Sequence, residues 1–210
     1  MRLKHVKGAQ EIINKGLYYI DNPKEYKGIW SKIFNNNNPI YIEIGMGKGD
    51  FIIENALTYP NINFIGIEKF DSVIVRAIQK SNNYELNNLK LIRIDAQELS
   101  EVFNHEINII YLNFSDPWPK ERHKKRRLTS PIFLKIYDQI SQNNPHIIMK
   151  TDNNDLFDYS KETLIENGYK LINCTNDLYS ENITDNIPTE YEKKFVKQGI
   201  KINKLDAIKK

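Results

Sequence analysis

Cysteine is almost absent: one residue, Cys174, stands in a chain of 210, so no internal disulfide can staple the fold. Its place in the apolar stretch Tyr169–Cys174 predicts a small buried side chain in a reducing compartment. Long hydrophobic runs are missing too, since none reaches the roughly 18 residues a membrane helix needs. The opening Met-Arg-Leu-Lys-His-Val-Lys-Gly has no apolar signal core. A cytoplasmic protein without a membrane partner is expected. The four histidines are scattered at positions 5, 105, 123 and 146, which gives no metal-ligand spacing, and no metal is expected. Glycine is also scarce, with nine in all, yet three of the nine fall within five residues.

Those three are Gly45, Gly47 and Gly49, in Pro39-Ile-Tyr-Ile-Glu-Ile-Gly-Met-Gly-Lys-Gly-Asp50. Ile40, Tyr41, Ile42 and Ile44 predict a buried strand, and the glycines mark a sharp turn that a ligand can approach closely. A dinucleotide fingerprint reads G-x-G-x-x-G and sets a pyrophosphate on a helix N-terminus. Here the pattern is E-x-G-x-G-x-G, with the Glu43 carboxylate where a phosphate would be repelled. It suits a cationic nucleoside without phosphate, of which S-adenosylmethionine is the common example. A plain strand–helix turn would also satisfy the glycines alone.

Residues 62–68 predict a second strand ending in Glu68, 19 residues beyond Gly49 and placed to accept from ribose hydroxyls. Residues 89–95 predict a third, ending in Asp95 and followed by Ala96. Residues 107–116 predict a fourth, ending in Asp116. Any one of these acids also suits a helix N-cap. Four of them at the carboxyl edge of successive strands are better explained by a shared ligand site, because open α/β sheets bind ligands there.

Helical patterns alternate with the strands, at Asp50–Leu57, Asp71–Lys80, Pro131–Ile140 and Asp155–Asn167, and His146–Met149 predicts a fifth strand. Alternation of this kind specifies an α/β fold with a mainly parallel sheet and helices on both faces. The Asn35–Asn38 stretch sets off an N-terminal arm, 1–38, from one domain, 39–210. The length suffices for one well-buried domain and not for two of ordinary size.

Charge is concentrated in one place. Lys120–Arg127 (Lys-Glu-Arg-His-Lys-Lys-Arg-Arg) carries +5 with His123 neutral, whereas the whole chain carries +3. Everything else therefore sums to −2. The run leaves the Asp116-Pro-Trp-Pro119 turn, so a polyanion would be guided past the proposed nucleoside site. Trp118 offers either a stacking face for a base or simple core packing. A basic run is also often just a solvated surface, in which case Arg2, Lys4 and Lys7 of the arm are the alternative polyanion track.

In that order, Glu43-Ile-Gly-Met-Gly-Lys-Gly49, Asn113-Phe-Ser-Asp-Pro-Trp-Pro-Lys120, Arg122-His-Lys-Lys-Arg-Arg-Leu128, Lys150-Thr-Asp152 and Thr189-Glu-Tyr-Glu192 resemble the bacterial tRNA (guanine-N7)-methyltransferase family over nearly the entire chain. Many members have proline where Ser115 stands. The resemblance implies a Rossmann-like class I methyltransferase domain that uses S-adenosylmethionine. It assigns the cofactor to Glu43, Glu68, Asp95 and Asp116, with Asp116 also at the proposed catalytic position; Gly45, Gly47 and Gly49 of the turn and Ala96 after the third strand are expected beside them. It assigns the tRNA substrate to Lys120, Asp152, Thr189, Glu190, Tyr191 and Glu192. Backbone contacts fall to Arg122, His123, Lys124, Lys125, Arg126 and Arg127. Assembly, as monomer or homodimer, is left open. Guanine N7 carries a free lone pair, so the implied reaction needs no nucleophilic Ser or Cys and no metal. Two other classes compete: an NAD-dependent oxidoreductase, disfavoured by the glycine spacing and the basic octet, and a non-catalytic RNA-binding protein on the same fold.

Overall fold

The isoleucine-rich runs become strands buried on both faces, the pattern of central parallel strands. A computed structural model of the chain describes residues 8–181 and 186–210; Arg2, Lys4 and Lys7 lie outside them. The central strands are β2 (Ile40–Ile44), β3 (Asn63–Glu68), β4 (Leu89–Arg93), β5 (Ile107–Asn113) and β6 (His146–Thr151). Three more complete the sheet: β1 (Tyr19–Ile20), β7 (Tyr169–Thr175) and β8 (Asn203–Lys209), in the order β1-β4-β3-β2-β5-β6-β8-β7. All pairings are parallel except those of β8 with β6 and β7.

Helices α3 (Asp50–Thr58), α4 (Asp71–Ser81), α5 (Leu99–Val102), α6 (Pro131–Ile140) and α7 (Asn154–Glu166) connect successive strands, and α8 (Glu190–Lys197) precedes β8. Alternate strand residues feed two apolar clusters, as a pleat requires. Phe64 joins Ile52, Ile74 and Ile78 on one side. Its neighbour Ile65 joins Trp30, Phe133 and Tyr137 on the other. The described part of the arm contributes to both. Trp30, in α2 (Trp30–Phe34), is fully buried, and α1 (Ala9–Asn14) packs on α4.

From β2 the chain steps one way through β3 to β4, whereas β5 and β6 lie on the other side. Such a reversal opens a crevice at the carboxyl ends of β2 and β5, where ligands of open α/β sheets bind.

Several expectations shift. The third and fourth strands end earlier, at Arg93 and Asn113, so Asp95 and Asp116 stand in the loops beyond. β1 and β8 had no counterpart in the sequence reading. Cys174 is exposed rather than buried. It lies on β7, an edge strand whose register with β8 shifts between Leu171 and Asn173.

Candidate active site

The glycine turn forms as its spacing demands. Gly45, Gly47 and Gly49 have φ of 77°, 60° and 80°, a region costly for other residues. Gly49 also touches α4, where an added Cβ would lie 2.8 Å from the Ala77 side chain. A Cβ at Gly45 or Gly47 meets no protein atom within 4 Å. Those two residues instead border a cavity of about 920 Å³ at the crevice.

Glu43, Glu68, Asp95 and Asp116 all line this cavity, and each has a different environment. Glu43 is 2% exposed; its Oε1 accepts from Asn113 Nδ2 at 2.9 Å, while Oε2 and Asn113 Oδ1 are buried without a partner. Burial pushes the Glu43 carboxyl up to about 8, against the Asn113 hydrogen bond and the Lys150 charge. Glu68 accepts backbone N–H groups from Gly47 at 3.2 Å, Lys69 at 2.8 Å and Phe70 at 3.0 Å. Burial raises its pKa and the three donors oppose the rise. Asp95 works the other way: despite desolvation, the Gln97 N–H and Lys69 hold it below the ordinary carboxylate value. Asp116 is exposed.

Two strained aromatic residues bracket Asp116. Phe114 and Trp118 have φ of 51° and 42°, a region that non-glycine residues occupy only where surroundings enforce it. Arg127 is one enforcer. Its Nε donates to Pro117 O at 2.8 Å, its Nη2 donates to Trp118 O at 3.3 Å, and its guanidinium lies over the Tyr159 ring. Trp118 is half-buried at the cavity, with the Arg126 guanidinium 5.0 Å above its ring, so plain core packing does not describe it.

Across the cavity stands the start of α8. Thr189 and Glu192 form a capping box, with Glu192 N donating to Thr189 Oγ1 at 3.0 Å and Thr189 N to Glu192 Oε2 at 3.2 Å. Glu192 is fully buried on Lys150, Tyr179 and Asn186. Tyr191, nearly half exposed, packs its ring near those of Phe114 and Phe195. Glu190 accepts from Lys48 Nζ at 2.7 Å, which ties the glycine turn to α8.

The cavity thus gathers Glu43, Gly45, Gly47, Glu68, Asp95, Ala96 and Asp116, with Thr189, Glu190, Tyr191 and Arg126 on its rim. Gly49, Lys120, Asp152, Arg122, His123, Lys124 and Lys125 lie outside its lining. Two of the residues assigned to tRNA have internal partners. Arg127 is 4% exposed and engaged inside the loop. Glu192 turns inward as a helix cap and ion-pair partner. Asn113, Lys48 and Lys150 stand in the quoted motifs but were given no role there. Lys150 had a signal in a cation closing the apolar strand His146–Met149.

Among the described residues no helix is long and apolar enough to cross a membrane, and no group of three or more His, Cys, Asp or Glu could hold a metal.

A family profile described as "Putative methyltransferase" matches residues 37–205. The tRNA (guanine-N(7)-)-methyltransferase of Lachnoclostridium phytofermentans is 49% identical, over 100% of this chain and 99% of its own. The Bacillus subtilis protein of the same name is 47% identical, over 99% of this chain and 98% of its own. The chain belongs to this methyltransferase family. These relatives support the methyltransferase reading and not the oxidoreductase or non-catalytic alternatives. Solved structures agree on the fold. The 16S rRNA methyltransferase KamB superposes with TM-score 0.63 at 13% identity, covering 85% of this chain and 91% of its own. A precorrin-6y C5,15-methyltransferase from Geobacter metallireducens gives 0.58 at 13%, covering 100% and 91%. Both support the Rossmann-like class I methyltransferase architecture.

The residues present fit the methyl donor implied by such a family. Buried carboxylate and amide oxygens without partners, Glu43 Oε2 and Asn113 Oδ1, border the cavity, and the acids there suit a ligand bearing cations and hydroxyls.

Proposed function

We propose that this chain methylates N7 of a guanine in tRNA, at the variable loop by family resemblance, with S-adenosylmethionine as donor. Whole-length identity of 49% to a tRNA (guanine-N(7)-)-methyltransferase carries this reading. When bound, S-adenosylmethionine supplies an electrophilic sulfonium methyl group. Glu43, Glu68 and Asp95 would hold it, with Ala96 alongside and Gly45 and Gly47 leaving it room. Guanine N7 already carries its lone pair, so no residue has to remove a proton before attack. The protein's task is alignment and electrostatics. Asp116, exposed between the strained Phe114 and Trp118, is the carboxylate placed to favour the positive charge that develops on the purine.

Guanine's Watson–Crick edge presents N–H donors, which Glu190 and Asp152 can accept, and Tyr191 offers an aromatic face. N7 lies in the deep, narrow major groove of A-form RNA, so the target base must be looped or turned out. Lys120 would meet the substrate base, and Arg122, His123, Lys124, Lys125 and Arg126 would carry the flanking backbone. A cytoplasmic location suits a tRNA-modifying enzyme, and either a monomer or a homodimer is compatible.

The test is label transfer from S-adenosylmethionine carrying a radioactive methyl group to unmodified tRNA transcripts. Incorporation that saturates with tRNA supports the proposal. Cofactor binding without transfer to any tRNA would leave a non-catalytic protein.

A further inference from the structure

A second basic surface lies on the opposite flank of the cavity from the octet. The polar face of α4 carries Arg76, Gln79 and Lys80, continued by Asn83 just past its end, at the i, i+3, i+4, i+7 spacing of one helix face. The opposite face, with Ile74, Val75, Ala77 and Ile78, is buried. These four residues and Lys48 line a concavity of about 430 Å³ in which none of the five is acidic. Lys48 and Arg76 also line the main cavity, so the two spaces adjoin. The topology fixes their sides. α4 leaves β3, on one side of β2, whereas the octet leaves β5, on the other.

We infer that Lys48, Arg76, Gln79, Lys80 and Asn83 form a second phosphodiester-binding track, so that the RNA strand straddles the cavity. The inference rests on the proposed tRNA substrate. Every member can donate N–H, and the face runs about 10 Å along the helix, the reach of two or three backbone phosphates. Arg76 has no carboxylate within ion-pair distance among the described residues; its Nη1 donates to Gln79 Oε1 at 2.9 Å, orienting that amide nitrogen away from it. Lys48 and Lys80 do have partners, Glu190 and Asp50. Those pairs are partly exposed, with side-chain exposures of 37–51%, and solvent-screened pairs of this kind are weakly held and can exchange for a phosphate. Release of Lys48 toward RNA also frees Glu190, the acceptor proposed for the guanine edge, which links backbone binding to the site beside it.

A cation near a helix C-terminus also favours the helix dipole, so the test must separate a binding track from a solvated helix face. The logarithm of tRNA affinity is plotted against the logarithm of salt concentration for the full chain and for Arg76→Gln/Lys80→Gln. Unfolding midpoints check that the variant folds. Loss of two phosphate contacts lowers the slope by roughly 1.4–1.8 and weakens all tRNAs alike. Lys125→Gln/Arg126→Gln, on the octet, should lower it separately and additively. A slope equal to wild type in the α4 variant, with the octet variant still reduced, overturns the second track and leaves the tRNA reading intact. If the wild-type chain binds no tRNA, both fail together. Arg76→Glu/Lys80→Glu serves as the stronger variant, and its affinity must fall below that of the Gln pair.

Discussion

Lys150 Nζ donates to Glu192 Oε2 at 2.8 Å with side-chain exposures of 4% and 0%, joining the end of β6 to the first turn of α8 beneath the cavity. Lys150 also donates to Asn186 Oδ1 and Ile187 O, and Glu192 accepts from Tyr179 and from the helix start it caps. The segment that presents Glu190 and Tyr191 is therefore anchored from inside.

Removing one partner of that pair should be costly. Lys150→Met leaves Glu192 buried and unpaired and should destabilise by about 3–5 kcal/mol, as breaking buried pairs does. Lys150→Met/Glu192→Gln should recover part of the loss. Denaturant unfolding measures both. A loss below about 1 kcal/mol for Lys150→Met, the range of an exposed pair, would contradict the anchoring role.

Glu43 should make stability, and the proposed cofactor binding, depend on pH. Its carboxyl is raised to about 8 in the fold, chiefly by burial, and so holds its proton where the unfolded chain has lost it. Its contribution to stability is present at low pH and is lost as pH rises through that value. Glu43→Gln should flatten this dependence and stabilise the free protein above pH 8 by about 1–3 kcal/mol, the cost of an unsatisfied buried polar group. A cationic ligand beside Glu43 favours its ionised form, so cofactor binding near neutral pH should release a proton. Calorimetric enthalpies should then differ between phosphate and Tris buffers. Identical enthalpies in the two buffers would speak against it.

Arg127 and its neighbours should separate cleanly. Arg127→Ala frees the Pro117 and Trp118 carbonyls and should lower the transfer rate at saturating tRNA, with the salt slope of tRNA binding unchanged. Arg127→Lys should not rescue it, because an ammonium cannot reproduce the guanidinium fork. Lys125→Ala/Arg126→Ala should instead flatten the slope, by roughly 0.7–0.9 per lost contact. A flattened slope for Arg127→Ala would return that residue to the RNA interface.

At Asp116 chemistry should part from binding. Asp116→Asn keeps the shape and some hydrogen bonding but removes the charge, so single-turnover methyl transfer should slow far more than tRNA affinity weakens. Rates within a factor of about two of wild type would leave Asp116 as a binding residue, since that corresponds to less than about 0.5 kcal/mol in the barrier.

The central sheet was legible because buried parallel strands write continuous isoleucine-rich runs, and the site was legible because acids and glycines punctuate their ends. β8 was less visible: Leu205 and Ala207 alternate with Lys204 and Asp206 in a seven-residue strand whose partners lie far along the chain. Cys174 was misread because an apolar run does not reveal an edge strand or its register shift. The inward engagement of Arg127 and Glu192 was not legible, for a common reason. A charged residue in a binding motif looks the same in sequence whether it faces the ligand or holds the loop that does. Only the three-dimensional partners, the Pro117 carbonyl and Lys150, distinguish the two.

The central claim, methylation of guanine N7, is tested most directly by locating the transferred methyl group. Unmodified tRNA is incubated with the chain and S-adenosylmethionine, then treated to cleave the strand at 7-methylguanine. The account predicts one cleavage, at a variable-loop guanine, that disappears when that guanine is replaced. Methyl incorporation without cleavage at any guanine would contradict it.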